Sequence, residues 1–184
     1  MFMPSLPSLP LRAGRVHEAF GPGAAGFAAI AASMAEGPVL WIREAWRPEI
    51  LNPVGLAPVL DPGRVLLARP ADQADALGVA EEALKDGAVP LVVLEVTRAL
   101  DLREGRRLQL AAGAGRATGL CLIPEGMGSN AAETRWQCTP SFDAQDSTRQ
   151  LWRLIKNKSG TTGAWHVRWD PQAHRVAVVS PVRE

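Results

Sequence analysis

Between residues 16 and 123, short apolar runs alternate with helical stripes, and no other feature restricts the fold as strongly. Val16–Phe20, Val39–Ile42, Val65–Ala68, residues 91–94 and residues 118–123 read as strands, apolar enough for the interior of a sheet. After the first strand, Phe27, Ile30, Ala31 and Met34 follow the i, i+3, i+4, i+7 spacing of a buried helical stripe. That helix should run from Ala24 to about Ala35 and stop at Gly37-Pro38. Asp72 or its neighbour can cap a second helix, with Leu77, Ala80 and Leu84 on one face and Gly87 beyond its end. Asp101 and Glu104 have capping-box spacing and open a third helix to about Ala112. Residues 43–61 carry Pro48, Pro53 and Pro58 and are expected to be loop with one helical turn at most.

Beyond Pro124 the pattern changes. Residues 124–130 form a loop, and residues 134–139, 151–157, 164–169 and 175–180 read as strands between short polar turns. Trp165, Val167 and Trp169 alternate with His166, Arg168 and Asp170, the period of a half-exposed sheet. The expected class is α/β: a mainly parallel sheet flanked by helices, with antiparallel strands added at the C-terminal end. Residues 14–184 should form one domain. Residues 1–13, with prolines at 4, 7 and 10, should form an extended, loosely packed tail.

The junction of the first strand and helix carries a motif. Gly21-Pro22-Gly23-Ala24-Ala25-Gly26-Phe27-Ala28 has the glycine spacing of a phosphate-binding P-loop, G-x-x-x-x-G-K-[ST]. Phe27 replaces the lysine that would neutralise phosphates, and Ala28 replaces the hydroxyl that would hold magnesium. The loop therefore reads as a turn joining strand to helix, with Phe27 packed nearby, although backbone amides at a helix start attract anions. Glu95 ends the strand at 91–94, where a Walker-B acid would stand, and is expected to be a solvated strand-end charge. No nucleotide, metal or other cofactor is expected.

Other chemistry is absent from the pattern. His17, His166 and His174 are far apart, no G-x-S-x-G occurs, and Cys121 lies inside an apolar strand. Two cysteines do not make a disulfide framework, and no apolar run is long enough for a membrane helix. Residues 1–11 lack the charge and continuous apolar run of a signal peptide, so the expected location is cytoplasmic.

A net charge of +1 argues against a strongly basic nucleic-acid binder. The charge is unevenly distributed, however. From Glu133 onward there are eight basic and five acidic residues, whereas residues 71–105 hold three basic and eight acidic ones. Arg149, Arg153, Lys156, Asn157 and Lys158 form the densest basic stretch, a candidate contact for a phosphate backbone or an acidic protein face.

These features in this order resemble the RecA superfamily over about residues 14–170. The resemblance rests on the Gly21-Pro22 loop, the strand Val39–Ile42 before Glu44, the segment from Gly87 to Glu95, and the run 151–158 closing in Lys156-Asn157-Lys158. Within that superfamily, residues 39–42, 76–84, 106–112, 132–136 and 163–165, with Trp169-Asp170, look like segments of the ImuA proteins. That resemblance implies a RecA-like accessory protein of damage-induced, SOS-regulated mutagenesis, without ATPase activity. Its implied partners are an ImuB-like relative of the Y-family polymerases, RecA, and an error-prone replicative-type polymerase. Phe27, a Glu44 one place out of register with RecA's catalytic glutamate, and a short 124–131 loop depart from RecA proper. A SulA-like inhibitor of cell division is an alternative reading, and a RecA-type ATP-dependent DNA-binding protein a further one.

Overall fold

A computed structural model describes residue 6 and residues 8–182. The chain runs β1 (Val16–Phe20), α1 (Ala24–Met34), β2 (Val39–Ile42), α2 (Pro53–Leu56), β3 (Val65–Ala68), α3 (Gln73–Asp86), β4 (Leu91–Glu95), α4 (Leu102–Gly115) and β5 (Thr118–Leu122). Four longer strands follow: β6 (Thr134–Pro140), β7 (Gln150–Asn157), β8 (Gly163–Asp170) and β9 (Arg175–Pro181). They form one nine-stranded sheet in the order β3-β2-β4-β5-β1-β6-β7-β8-β9. Pairing is parallel from β3 through β6 and antiparallel from β6 to β9. The expected α/β class with antiparallel C-terminal strands is the observed architecture. Helix α4 runs three residues past the expected Ala112, to Gly115.

The sheet has a core on each side. On one side, α3 and α4 cover Val16, Phe20, Val92, Leu94 and Cys121. On the other, α1 lies against Ala19, Trp41, Val93 and Leu120, and also against Trp136, Trp152, Val167 and Trp169 from the antiparallel strands. The sheet bends around α1, which touches β5, β1 and β6 and then β9 as well. Seven of its eleven residues are consequently buried, and a helix enclosed this fully needs alanine where a bulkier side chain would hold the sheet away.

The N-terminal segment departs from the loose tail predicted for it. Leu6 is buried in the α1-side core, and Leu9 and Leu11 pack against its margin. Prolines prevent regular structure here, but the intervening leucines still gain from leaving water. The remaining residues of the predicted tail, 1–5 and 7, lie outside the described residues. Cys121 and Cys138 are buried free thiols, and burial pushes both well above the usual range. No helix among the described residues is long and apolar enough to cross a membrane.

A buried polar chain ties this segment to the sheet. His17 Nε2 lies 3.0 Å from the Arg12 carbonyl, which can only accept, so this nitrogen carries the proton. Nδ1 then accepts from the Thr134 hydroxyl at 2.7 Å, and that oxygen in turn accepts from Trp136 Nε1 at 3.1 Å. Every group is satisfied only while the imidazole is neutral. Burial accordingly holds the His17 pKa below its ordinary 6.5. The unfolded chain therefore binds this proton more readily than the folded one, so the stability is complete above pH 6.5. It declines as the pH falls from there toward the lower folded value. Urea unfolding midpoints should fall between about pH 7 and about pH 5, and His17→Gln should flatten that slope.

Candidate functional site

In open α/β sheets, ligands bind beyond the carboxyl ends of the strands. At that edge lie the loop after β1, the first turn of α1, and the ends of β2 and β4. The glycines of the P-loop-like motif are needed there, but by β6 and β7. Gly21 has φ +94°, and a side chain on it would begin 2.5 Å from the Cys138 carbonyl oxygen. The Gly23 amide donates to that same oxygen at 2.9 Å. Side chains at Gly23 and Gly26 would begin within 2.9 Å of the Gln150 side-chain amide. Gln150 is fixed in turn by accepting from Trp152 Nε1 at 2.8 Å. The loop is thus fitted closely to a strand carbonyl and a glutamine.

Phe27, in the lysine position, is fully buried. Its ring lies 4.8 Å from that of Trp152, edge to face, and 5.3 Å from that of Trp136. Such pairs each add about 0.5–1.5 kcal/mol beyond the burial of the ring. Ala28 is also fully buried, in the same core.

Glu95 is not the solvated strand-end charge expected from its position. It is buried and fully occupied. Its Oε1 accepts from Trp41 Nε1 at 2.7 Å and from Arg43 Nε and Nη2 at 2.9 and 2.6 Å, while Oε2 accepts from Arg47 Nη1 at 2.6 Å. The parallel register explains the contact: Ile42 pairs with Leu94, so the residues that follow them, Arg43 and Glu95, become neighbours. Opposite charges ending two apolar runs were the sequence signal, but only the strand order made them adjacent. Glu44 is buried beside this cluster, accepting from the Thr97 hydroxyl and from Trp46 Nε1, each at 2.6 Å.

Loop, arginines and Glu95 line an open cleft of about 310 Å³. Nucleoside triphosphate with magnesium does not fit its donor set. Phe27 offers no cation, Ala28 no hydroxyl, and two guanidinium groups on Glu95 oppose a divalent ion. Among the described residues, no three His, Cys, Asp or Glu side chains converge as metal ligands.

The basic stretch is not one exposed patch either. Lys156 Nζ donates to the Ser129 and Asn130 carbonyls, both at 3.0 Å, and Lys158 Nζ to the Ala131 carbonyl at 2.9 Å. Partial burial, with Arg135 and Lys158 nearby, holds the Lys156 pKa below its ordinary value. Asn157 bonds Ser8 and Thr161, and Arg149 pairs with Asp143 at 2.6 Å. Glu18 clamps the same 129–131 loop, accepting from the Ser129 amide and from Arg135 Nε, each at 2.7 Å. These side chains close the loop between β5 and β6 onto the sheet, a need for carbonyl partners that a sequence does not reveal. Of the five residues in the stretch, only Arg153 stands exposed without a side-chain partner among the described residues.

No protein-family model matches the chain, and no curated protein matches it. Among solved structures, the RadB recombinase superposes with a TM-score of 0.68 over 92% of each chain, at 14% identity. The fold is RecA-like. At that identity the likeness is one of fold.

Phe27→Ala should destabilise the protein by about 3–5 kcal/mol, as for other large aromatic deletions in a core. Phe27→Lys should be at least as damaging, because it buries an unpaired cation. Glu95→Ala should lower stability by about 3–5 kcal/mol by leaving the buried Arg43 uncompensated. Denaturant unfolding of the three variants checks all three statements; wild-type stability in any of them would contradict this geometry.

Proposed function

We propose that this chain is a non-catalytic, RecA-like accessory protein of damage-induced mutagenic translesion synthesis, acting by binding other proteins. The observation that carries the reading is the burial of Phe27 between Trp136 and Trp152, where a working P-loop would present its lysine. Placing a lysine at this position would require dismantling a core, which supports a role without nucleotide chemistry. The partners proposed are an ImuB-like relative of the Y-family polymerases and RecA, with an error-prone replicative-type polymerase in the same assembly. This identification rests on the ImuA-like segments at 39–42, 76–84, 106–112 and 132–136.

Support for protein binding comes from the segment between β2 and β3. Trp46, Ile50 and Val54 are largely exposed there, beside an apolar cavity of about 290 Å³ lined by Ile30, Leu51, Leu56, Val59 and Trp169 among others. Exposed apolar side chains bordering an apolar cavity are typical of protein contact surfaces.

Two measurements test the reading. A fluorescent ATP analogue should not bind detectably, and ATP should not be hydrolysed above background with or without DNA. Purified chain should capture the ImuB-like protein or RecA, and Ile50→Glu with Val54→Glu should weaken that capture about tenfold without altering the circular dichroism spectrum. ATP turnover by the unmodified protein would overturn the proposal. So would failure to bind either partner, with damage-induced mutagenesis unchanged on deletion of the gene.

A further inference from the structure

The apolar cavity of about 290 Å³ beside α2 has an interior of its own. Ile30 on α1, Trp41 on β2 and Trp169 on β8 line it and are buried, and Leu51, Leu56 and Val59 complete its apolar wall. Ala25, Gly55 and Thr148 also line it and are exposed, so the interior is reached from solvent. Where α1 borders the cavity it presents only small residues, Ala25, Gly26 and Ala29, beside Ile30. Larger side chains there would fill the space.

The polar groups of the lining are accounted for, with one exception. Both indole N–H groups donate to protein oxygens, Trp41 Nε1 to Glu95 at 2.7 Å and Trp169 Nε1 to the Pro58 carbonyl at 2.9 Å. What these rings offer a ligand is therefore carbon. The Thr148 hydroxyl donates to Asp146 at 2.6 Å and accepts from the Trp169 amide at 3.1 Å. Gln150 Oε1 accepts from Trp152 Nε1, which can only donate, and this fixes the orientation of the amide. Its Nε2 then lies against Gly26 on the cavity wall, 2.9 Å from where a Cβ on that glycine would stand. Among the described residues Nε2 has no acceptor. No charged side chain lines the cavity, and it shares only Ala25 with the arginine-lined cleft at Glu95.

We infer that this cavity binds a neutral small molecule with an aromatic body and one carbonyl oxygen, such as an aryl ketone. The apolar lining takes the body, which gains by leaving water, and two tryptophans favour a ring system. The carbonyl accepts from Gln150 Nε2, a donor that a ligand without an acceptor would strip of water and leave unsatisfied. A phosphate or carboxylate would lose its hydration with no cation in the lining to replace it, so nucleotides are poor ligands here. The volume lies at the low end of small-molecule sites, about 300–1,000 Å³, and suits one bicyclic molecule. The inference stands apart from the adaptor reading, since it concerns the cavity interior and needs no protein partner.

Titration of the full chain with the fluorescent ketone propionyl(dimethylamino)naphthalene, followed by the blue shift of its emission, tests it. Wild-type protein should bind one molecule saturably, and an acetylnaphthalene should displace it. Ala25→Leu and Ala29→Leu, which put bulk into the cavity, should each weaken binding about tenfold or more. Ala25 is exposed, so its variant tests the site even if the buried Ala29→Leu fails to fold. Gln150→Glu keeps the acceptor for Trp152 but replaces the free donor. It should weaken the acetylnaphthalene about tenfold more than the isopropenylnaphthalene of the same shape, in which CH₂ replaces the carbonyl oxygen. Leu102→Ser with Leu110→Ser removes exposed apolar side chains from α4 and should change binding less than about threefold. Absence of saturable binding by wild type, undiminished binding by Ala25→Leu, or equal effects of Gln150→Glu on the two naphthalenes would each overturn the inference. Displacement of the probe by ATP at a lower concentration than by acetylnaphthalene would also overturn it.

Discussion

The enclosure of α1 is the contact on which the rest of the structure depends. A helix crossing from β1 to β2 normally covers one face of a sheet and leaves its outer side to solvent. Here the antiparallel strands bend over it and deliver Trp136, Trp152 and Trp169 to its far side. Phe27 sits at the centre, stacked edge to face on Trp152. The alanines at 24, 28, 29, 31 and 32 allow sheet and helix to approach, and the tryptophans fill the space that remains. The N-terminal leucines close the same core from its margin.

This arrangement explains why the motif at residues 21–28 combines its glycines with an apolar Phe27 and Ala28. A phosphate-binding loop needs glycine for close approach to a ligand, whereas this loop needs it for close approach to Cys138 and Gln150. The lysine position points into a core that has become apolar and tightly packed, where only a residue like phenylalanine is favourable. Glu95 is held in a comparable way. A carboxylate at the tip of β4 is stable in the interior through two arginines and an indole. Loop and acid therefore lie at the carboxyl edge of the sheet with their polar groups bound within the protein.

The distribution of basic residues follows a similar logic. Lys156 and Lys158 hold carbonyls of the 129–131 loop, and Arg135 holds Glu18, so these cations stabilise the junction between the parallel and antiparallel halves of the sheet. Arg153 has no such task, and Arg168 lies near Asp146 and Asp170; both are exposed on the stretch of sheet that α3 and α4 leave uncovered. A linear count of charge places all of them together. Pleat and register separate the structural cations from the exposed ones.

Periodicity alone gave the strands β1 to β5, the capped helices α3 and α4, and the antiparallel extension, because short-range patterns of burial and hydrogen bonding are written directly in residue type. The missing cation at Phe27 and missing hydroxyl at Ala28 were legible for the same reason. The pairing of Glu95 with Arg43 and Arg47 was not, since it arises from strands distant in the chain becoming neighbours in parallel register. Nor was the use of Lys156 and Lys158 as loop fasteners, or the burial of Leu6 in a segment whose proline content suggested a loose tail. Local pattern determined which segments would be strand or helix and which chemical groups were absent. Tertiary structure decided which charges face one another, because burial and desolvation act on neighbours in space and a sequence records only neighbours along the chain.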